Sequence, residues 1–127
     1  MKHSPGFLKI VDKVKPFIKE ITPEEVMIKF NHNDNFHFID VREDSEWEKA
    51  HAVNAVHLSK GIIERDIENL VPNHDDCIVL YCGGGYRSAL AAYNLQEMGY
   101  NNVLSMKGGY RAWSEKLLPE TIGSENQ

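Results

Sequence analysis

The chain has 127 residues, enough for one domain with a core of its own and too few for two. Its 14 Lys and Arg against 19 Asp and Glu leave a net charge of −5, which argues against a nucleic-acid surface and against an acidic-membrane binder. No apolar run is long enough to span a bilayer, and the start Met1-Lys2-His3-Ser4-Pro5-Gly6 lacks the apolar core of a signal peptide, so a cytoplasmic protein is expected.

Residues 1–20 form a basic amphipathic stretch. Phe7, Ile10, Val11, Val14, Phe17 and Ile18 fall near helical spacing, with Lys9, Lys13, Lys15 and Lys19 at other positions and Pro16 interrupting. A stripe of that width is expected to pack on the domain's own sheet; a docking or dimerisation helix is the alternative. Thr22-Pro23-Glu24-Glu25 then reads as a helix start, with Thr as cap, Pro at the first helical position and acids in the first turn, and predicts a helix over residues 23–31. The polar cluster 31–35 turns the chain into a strand over 36–41. Asp44-Ser45-Glu46-Trp47-Glu48 opens a short helix, residues 55–58 make a short strand, and residues 62–70 carry helical spacing until Pro72.

Cys77-Ile78-Val79-Leu80-Tyr81 is an unbroken apolar run of β-favouring types, as in a buried strand of a parallel sheet. After the loop that follows it, Leu90, Ala91, Tyr93, Leu95 and Met98 mark a helix that Gly99 stops. Asn101-Asn102 leads into a last strand over 103–106, and Gly108-Gly109 into a helix over 110–118, on which Tyr110 and Trp113 are expected to pack. Beyond Pro119 a frayed polar tail is expected. The expected division is a helical extension over 1–17, a folded domain over 18–120 and a tail over 121–127. Strands alternating with helices mean an α/β fold: a mainly parallel sheet of about five strands with helices on both faces. In such sheets the ligand site lies outside the carboxyl ends of the strands.

Cys82 stands at such an end, in Cys82-Gly83-Gly84-Gly85-Tyr86-Arg87-Ser88, with a helix N-terminus just beyond. Consecutive glycines let the backbone curl so that successive N–H groups point inward, making a concave nest for a negative atom. The helix dipole adds to this, and Arg87 brings a permanent charge and a planar fork of donors. Together they favour the thiolate of Cys82, and a nucleophile is a better reading than a buried strand-end cysteine. Cys77 is five residues away along the predicted strand, beyond bridging distance, and is expected to be buried there without a nest.

With these residues in hand, about the last hundred residues resemble the rhodanese-like single-domain sulfurtransferases. The resemblance rests on three blocks in order. The first is Phe38-Ile39-Asp40-Val41-Arg42-Glu43 with Glu46-Trp47 and His51-Ala52-Val53-Asn54-Ala55-Val56-His57-Leu58; the second is the Cys82 loop. The third is Val103-Leu104-Ser105-Met106-Lys107-Gly108-Gly109-Tyr110-Arg111-Ala112-Trp113. The resemblance implies that Cys82 takes a sulfane sulfur from a small-molecule donor such as thiosulfate, holds it as a persulfide, and passes it to a thiol or cyanide acceptor, or to a protein acceptor. It implies a nucleophile activated by the amides from Gly83 to Ser88, with Arg87 and the Ser88 hydroxyl as further donors, and no metal or organic cofactor. Ala50, Val53 and Asn54 depart from the glycines and proline usual in the first block. Gly83 and Gly84 stand where many members carry Arg, Lys or Ser, leaving a donor anion with amides and Arg87 alone.

Asp40, Arg42 and Glu46 tempt an acid–base assignment, but charges near a strand end more often tie a loop down. His51 and His57 read as loop or core histidines, and scattered His without paired Cys gives a zinc site no support. Two other functions fit the resemblance: the phosphatase or arsenate-reductase chemistry of related folds, and a non-catalytic sulfur-sensing or interaction module. The oxyanion enzymes use a loop one residue longer than the four that separate Cys82 from Arg87 here, and a module of the second kind commonly lacks the cysteine.

Overall fold

The computed structural model describes residues 3–122. In chain order the elements are α1 (Pro5–Val14), a short 3-10 turn (Lys15–Phe17), β1 (Lys19–Ile21), α2 (Pro23–Asn31), β2 (His37–Asp40), α3 (Asp44–Lys49), β3 (Ala50–Ala52) and β4 (Val56–His57). There follow α4 (Ile63–Leu70), β5 (Ile78–Tyr81), α5 (Tyr86–Glu97), β6 (Val103–Met106), α6 (Gly109–Glu115) and β7 (Glu120–Ile122). Five strands form one sheet in the order β1-β6-β5-β2-β4, and every neighbouring pair in it is parallel.

Alternation along the central strand sorts the core into two layers. Ile78, Leu80 and Cys82 face Ile63 and Ile67 of α4 and Ala91, Ala92 and Leu95 of α5. Val79 and Tyr81 face the other way, onto Val26 of α2 and Trp113 of α6. β5 is buried at every position, as a strand covered on both faces must be. Helix α2 begins as its sequence dictates. The Thr22 hydroxyl accepts from the Glu25 amide at 3.1 Å while the Glu25 carboxylate accepts from the Thr22 amide at 2.8 Å, with Pro23 at the first helical position.

Four expectations are corrected. Helix α1 packs on α5 rather than on the sheet, through Val11 and Val14 against Ala89, because α4 and α5 already cover that face and only the outer side of α5 is left. β1 emerges within the basic stretch: it is an edge strand of three residues with Lys19 and Glu20 exposed, too short and too charged to show alternation. The chain beyond Pro119 is not frayed at residues 120–122; these pair antiparallel with β3, in the register Ala50↔Ile122, His51↔Thr121 and Ala52↔Glu120. The Pro119 carbonyl anchors that return, accepting from Trp113 Nε1 at 2.8 Å and from the Val53 amide at 3.0 Å. The rest of the tail, residues 123–127, lies outside the described residues. Finally, Cys77 sits just ahead of β5 and is half-buried, since the strand's ladder begins at Ile78.

Parallel pairing brings the carboxyl ends of β2, β5 and β6 to one edge. From β2 the chain continues outward to β4, whereas from β5 it continues to β6 on the other side. The connections part between β2 and β5, and a crevice opens where they do.

Candidate active site

Cys82 is the first residue past β5 and is 1% exposed. Its Sγ accepts the amide of Gly85 at 3.1 Å and that of Ser88 at 3.4 Å, and lies 3.5 Å from the Ser88 hydroxyl. Gly85 is the N-cap of α5 and offers no side chain, so the sulfur stands where a capping oxygen ordinarily would, over an amide of the helix's first turn. The position favours negative charge on sulfur through directed N–H groups and the helix dipole together. The Ser88 hydroxyl is held by the Ser105 hydroxyl of β6 at 2.7 Å, both side chains being buried. Only backbone and hydroxyl donors reach the sulfur among the described residues.

The loop is held from behind by α6. The Tyr110 amide donates to the Cys82 carbonyl at 2.6 Å and the Arg111 amide to the Gly83 carbonyl at 3.0 Å, which turns those carbonyls onto α6. So close an approach excludes a side chain at Gly109, where φ is +57° and a Cβ would lie 2.4 Å from the Cys82 carbonyl oxygen. Gly85 also adopts a left-handed φ, +98°, to start α5. Gly83 and Gly84 do not. A Cβ at Gly83 would lie 3.0 Å from an Arg87 nitrogen, while a Cβ at Gly84 would meet nothing within 4 Å.

Arg87 does not point a free charge at the sulfur. Its guanidinium is bound in two-pronged fashion by Glu46 of α3, at 2.8 and 3.1 Å, across the crevice between the β2 and β5 connections. The hydrogen bond from Arg87 holds the Glu46 carboxyl below the usual carboxylate range, and the same bond raises the guanidinium's proton affinity, so the pair stays ionised and nearly neutral as a unit. Tyr86, the residue between Gly85 and Arg87, is half-buried under the N-terminal segment: His3 stands edge-on to its ring at 4.5 Å and Phe7 packs beside it.

Asp40 and Arg42 build the wall behind this. Arg42 grips the fully buried Asp40 carboxylate through Nε and Nη2 at 2.8–3.1 Å and donates Nη2 to the Ala50 carbonyl at 2.6 Å, tying β2 to the start of β3. Its guanidinium lies over the Tyr110 ring at 4.3 Å. The hydroxyl of Tyr110 bonds to Glu120, so β7 is tied to the same cluster, and burial pushes the phenol's pKa up. His51 donates to the Trp47 carbonyl and His57 to the Arg42 carbonyl, each holding a turn.

In front of the loop lies a cleft of about 320 Å³. The loop residues Gly83, Gly84, Tyr86 and Arg87 line it, with Glu46 from α3, and His3, Tyr110 and Arg111 complete it. The sequence blocks brought the loop to light, but not its surroundings. His3 carries no local signal, Ser105 and Arg111 stand in the third block without a role assigned to them, Tyr110 reads as a packing residue, and Glu46 finds its partner 41 residues away.

A model of the rhodanese-like domain matches residues 22–116. Similar proteins include YrkF of Bacillus subtilis, a candidate sulfur carrier protein by name, 34% identical over 99 residues that make up 78% of this chain and 52% of YrkF. YtwF of the same organism, named as a candidate sulfurtransferase, is 33% identical over 103 residues, 81% of this chain and 97% of YtwF. Among solved structures, a Rhodopseudomonas palustris protein of unknown function, described as a possible tyrosine phosphatase, superposes with a TM-score of 0.83 at 25% identity, covering 94% of this chain and 96% of that one. The chain thus spans about half the length of YrkF and nearly all of the other two.

Proposed function

The chain belongs to the rhodanese-like family, and from that premise we propose that it is a sulfurtransferase in which Cys82 carries a sulfane sulfur between a small donor and a thiophilic acceptor. One observation carries the reading: a buried sulfur at a strand end, behind a loop that lines a cleft, whose neighbours are the amides of Gly85 and Ser88 and the Ser88 hydroxyl. These donors stabilise an anion on sulfur without a basic side chain, which is what a nucleophilic thiolate and the persulfide it becomes both require.

With thiosulfate as donor, the Cys82 thiolate attacks the outer sulfur. The new S–S bond forms as the bond to the sulfonate sulfur breaks, and the electron pair of that bond leaves with sulfite. Charge is conserved, because a thiolate and a dianion give a persulfide anion and a dianion. The terminal sulfur then lies in reach of loop amides, and the cleft leaves room for the leaving group. In the second half, cyanide or a thiolate, from a small molecule or a protein, attacks that terminal sulfur; thiocyanate or a new persulfide departs and the Cys82 thiolate returns. No proton or electron is needed from outside. Phosphoryl or arsenate chemistry is the poorer reading, since the four residues between Cys82 and Arg87 close a ring better sized for one sulfur than for a tetrahedral oxyanion. The test is the intact mass of the protein after incubation with thiosulfate. A gain of one sulfur that cyanide removes supports the reading, and an unchanged mass with thiosulfate and with a thiol persulfide overturns it.

A further inference from the structure

A donor such as thiosulfate brings an anionic group as well as the sulfur to be transferred, and that group must be held. Arg87 is the obvious holder, yet both prongs of its fork are taken by Glu46, with nitrogen–oxygen distances of 2.8 and 3.1 Å. A dianion approaching Arg87 also meets the Glu46 carboxylate, which lines the same cleft. Gly83 and Gly84 add no charge. The cleft has one further guanidinium, that of Arg111, which is exposed and makes no ion pair among the described residues. Its place is fixed by its own backbone: the Arg111 amide is bonded to the Gly83 carbonyl, one residue past the nucleophile. The side chain therefore starts beside the loop and lines the cleft, with its donors unpaired among the described residues.

We propose that Arg111, and not Arg87, is the residue that holds the anionic end of the sulfur donor, so that the site favours sulfane carriers with a sulfonate or carboxylate beyond the transferred sulfur. This inference rests on the sulfur-transfer reading for its substrate, and Arg111 acts by binding and does not touch the bond that breaks. Arg111 is a specificity residue, set at the cleft by α6 while α5 and α3 neutralise each other across it.

Binding without turnover isolates the effect. Thiosulfate is titrated into the Cys82→Ser protein, and into the same protein carrying Arg111→Gln or Arg111→Lys, with the backbone amide resonances of Gly83 and Gly84 as the readout. Arg111→Gln is expected to weaken binding about two- to fivefold, as loss of one partly exposed ion pair should. Arg111→Lys should retain most of the affinity, and the difference between Gln and Arg should shrink as salt is raised. In the protein with Cys82 intact, Arg111→Gln should raise KM for thiosulfate by the same factor and leave kcat as it is, the pattern of uniform binding. Equal affinity in the Gln variant and its parent overturns the inference, as does the absence of thiosulfate binding to the parent. The two readings fail separately. Arg111-dependent binding with no sulfur gained by Cys82 in the intact protein ends the sulfur-transfer reading alone, and sulfur gained with Arg111-independent binding ends this one alone.

Discussion

Cys77 and Cys82 stand at the two ends of the same buried strand, and their surroundings share little. At the amino end, Cys77 is half-buried, its carbonyl is taken by the His37 amide, and burial pushes its thiol pKa up. At the carboxyl end, Cys82 is more deeply buried and yet its sulfur receives two amides and a hydroxyl, with a cleft in front of the loop. Burial by itself disfavours a thiolate, as at Cys77, whereas at Cys82 burial comes with donors directed at the sulfur. What separates the two is the direction of the strand, which delivers Cys82 to the end where helix α5 begins and leaves Cys77 at the end where none does.

The sharpest way to break this contrast is to remove each thiol in turn. Cys82→Ser is expected to abolish thiosulfate:cyanide sulfur transfer, measured as thiocyanate, and Cys77→Ser to retain nearly all of it. A folded Cys77→Ser protein as inactive as Cys82→Ser would refute the assignment. Next in size is the support behind the loop. Gly109→Ala puts a methyl group 2.4 Å from the Cys82 carbonyl oxygen at a left-handed φ, so the loop must shift; a displacement approaching 1 Å at Cys82 is expected to cost roughly a hundredfold in turnover. Thermal unfolding should show a loss of about 1–3 kcal/mol alongside. Gly84→Ala, which meets nothing within 4 Å, should stay within about twofold of the parent. Equal tolerance at both positions would mean that α6 does not hold the loop.

A smaller effect is expected at Glu46. Glu46→Gln keeps the side chain's shape and frees the Arg87 guanidinium from its counter-charge, so thiosulfate KM should fall about two- to fivefold. The same variant has a pH signature. The folded-state pKa of Glu46 is lowered, chiefly by the Arg87 hydrogen bond, so the pair's contribution to stability is complete above the unfolded carboxylate value of about 4.3 and is lost as pH falls through the lower folded value. Denaturant midpoints followed downward from about pH 5 should therefore decline less steeply in Glu46→Gln than in the parent, and parallel curves would contradict the assignment. The least effect belongs to Gly84→Lys. With open space around its Cβ and a φ outside the left-handed region, a lysine there adds one exposed charge to the cleft and should lower thiosulfate KM about twofold with turnover unchanged. An unchanged KM beside a tolerated Gly84→Ala would show that position 84 does not face the donor.

The fold and the Cys82 loop were legible because their signals are local. Thr22-Pro23-Glu24-Glu25 states its own cap, and the apolar run before Cys82 with the glycines after it states strand, nest and helix start within a few residues. β1, β3 and β7 were not legible. Each is three residues long, and β3 and β7 exist only by pairing Ala50–Ala52 with residues 120–122. The cleft was hidden for the same reason. The charge that Arg87 presents depends on Glu46, which reads locally as one more acid in a helix's first turn, and Arg111 enters through a backbone bond to Gly83 that no spacing rule announces.

Sulfur from the donor is expected to come to rest on Cys82 and nowhere else. Thiosulfate labelled in its outer sulfur, incubated with the protein and followed by trapping of persulfides, digestion and peptide analysis, tests it directly. The label should be found on the peptide containing Cys82, be released as labelled thiocyanate by cyanide, and be missing from Cys77 when the two residues are resolved. Label retained on Cys77, or protein that stays unlabelled while the thiosulfate is consumed, would contradict the account.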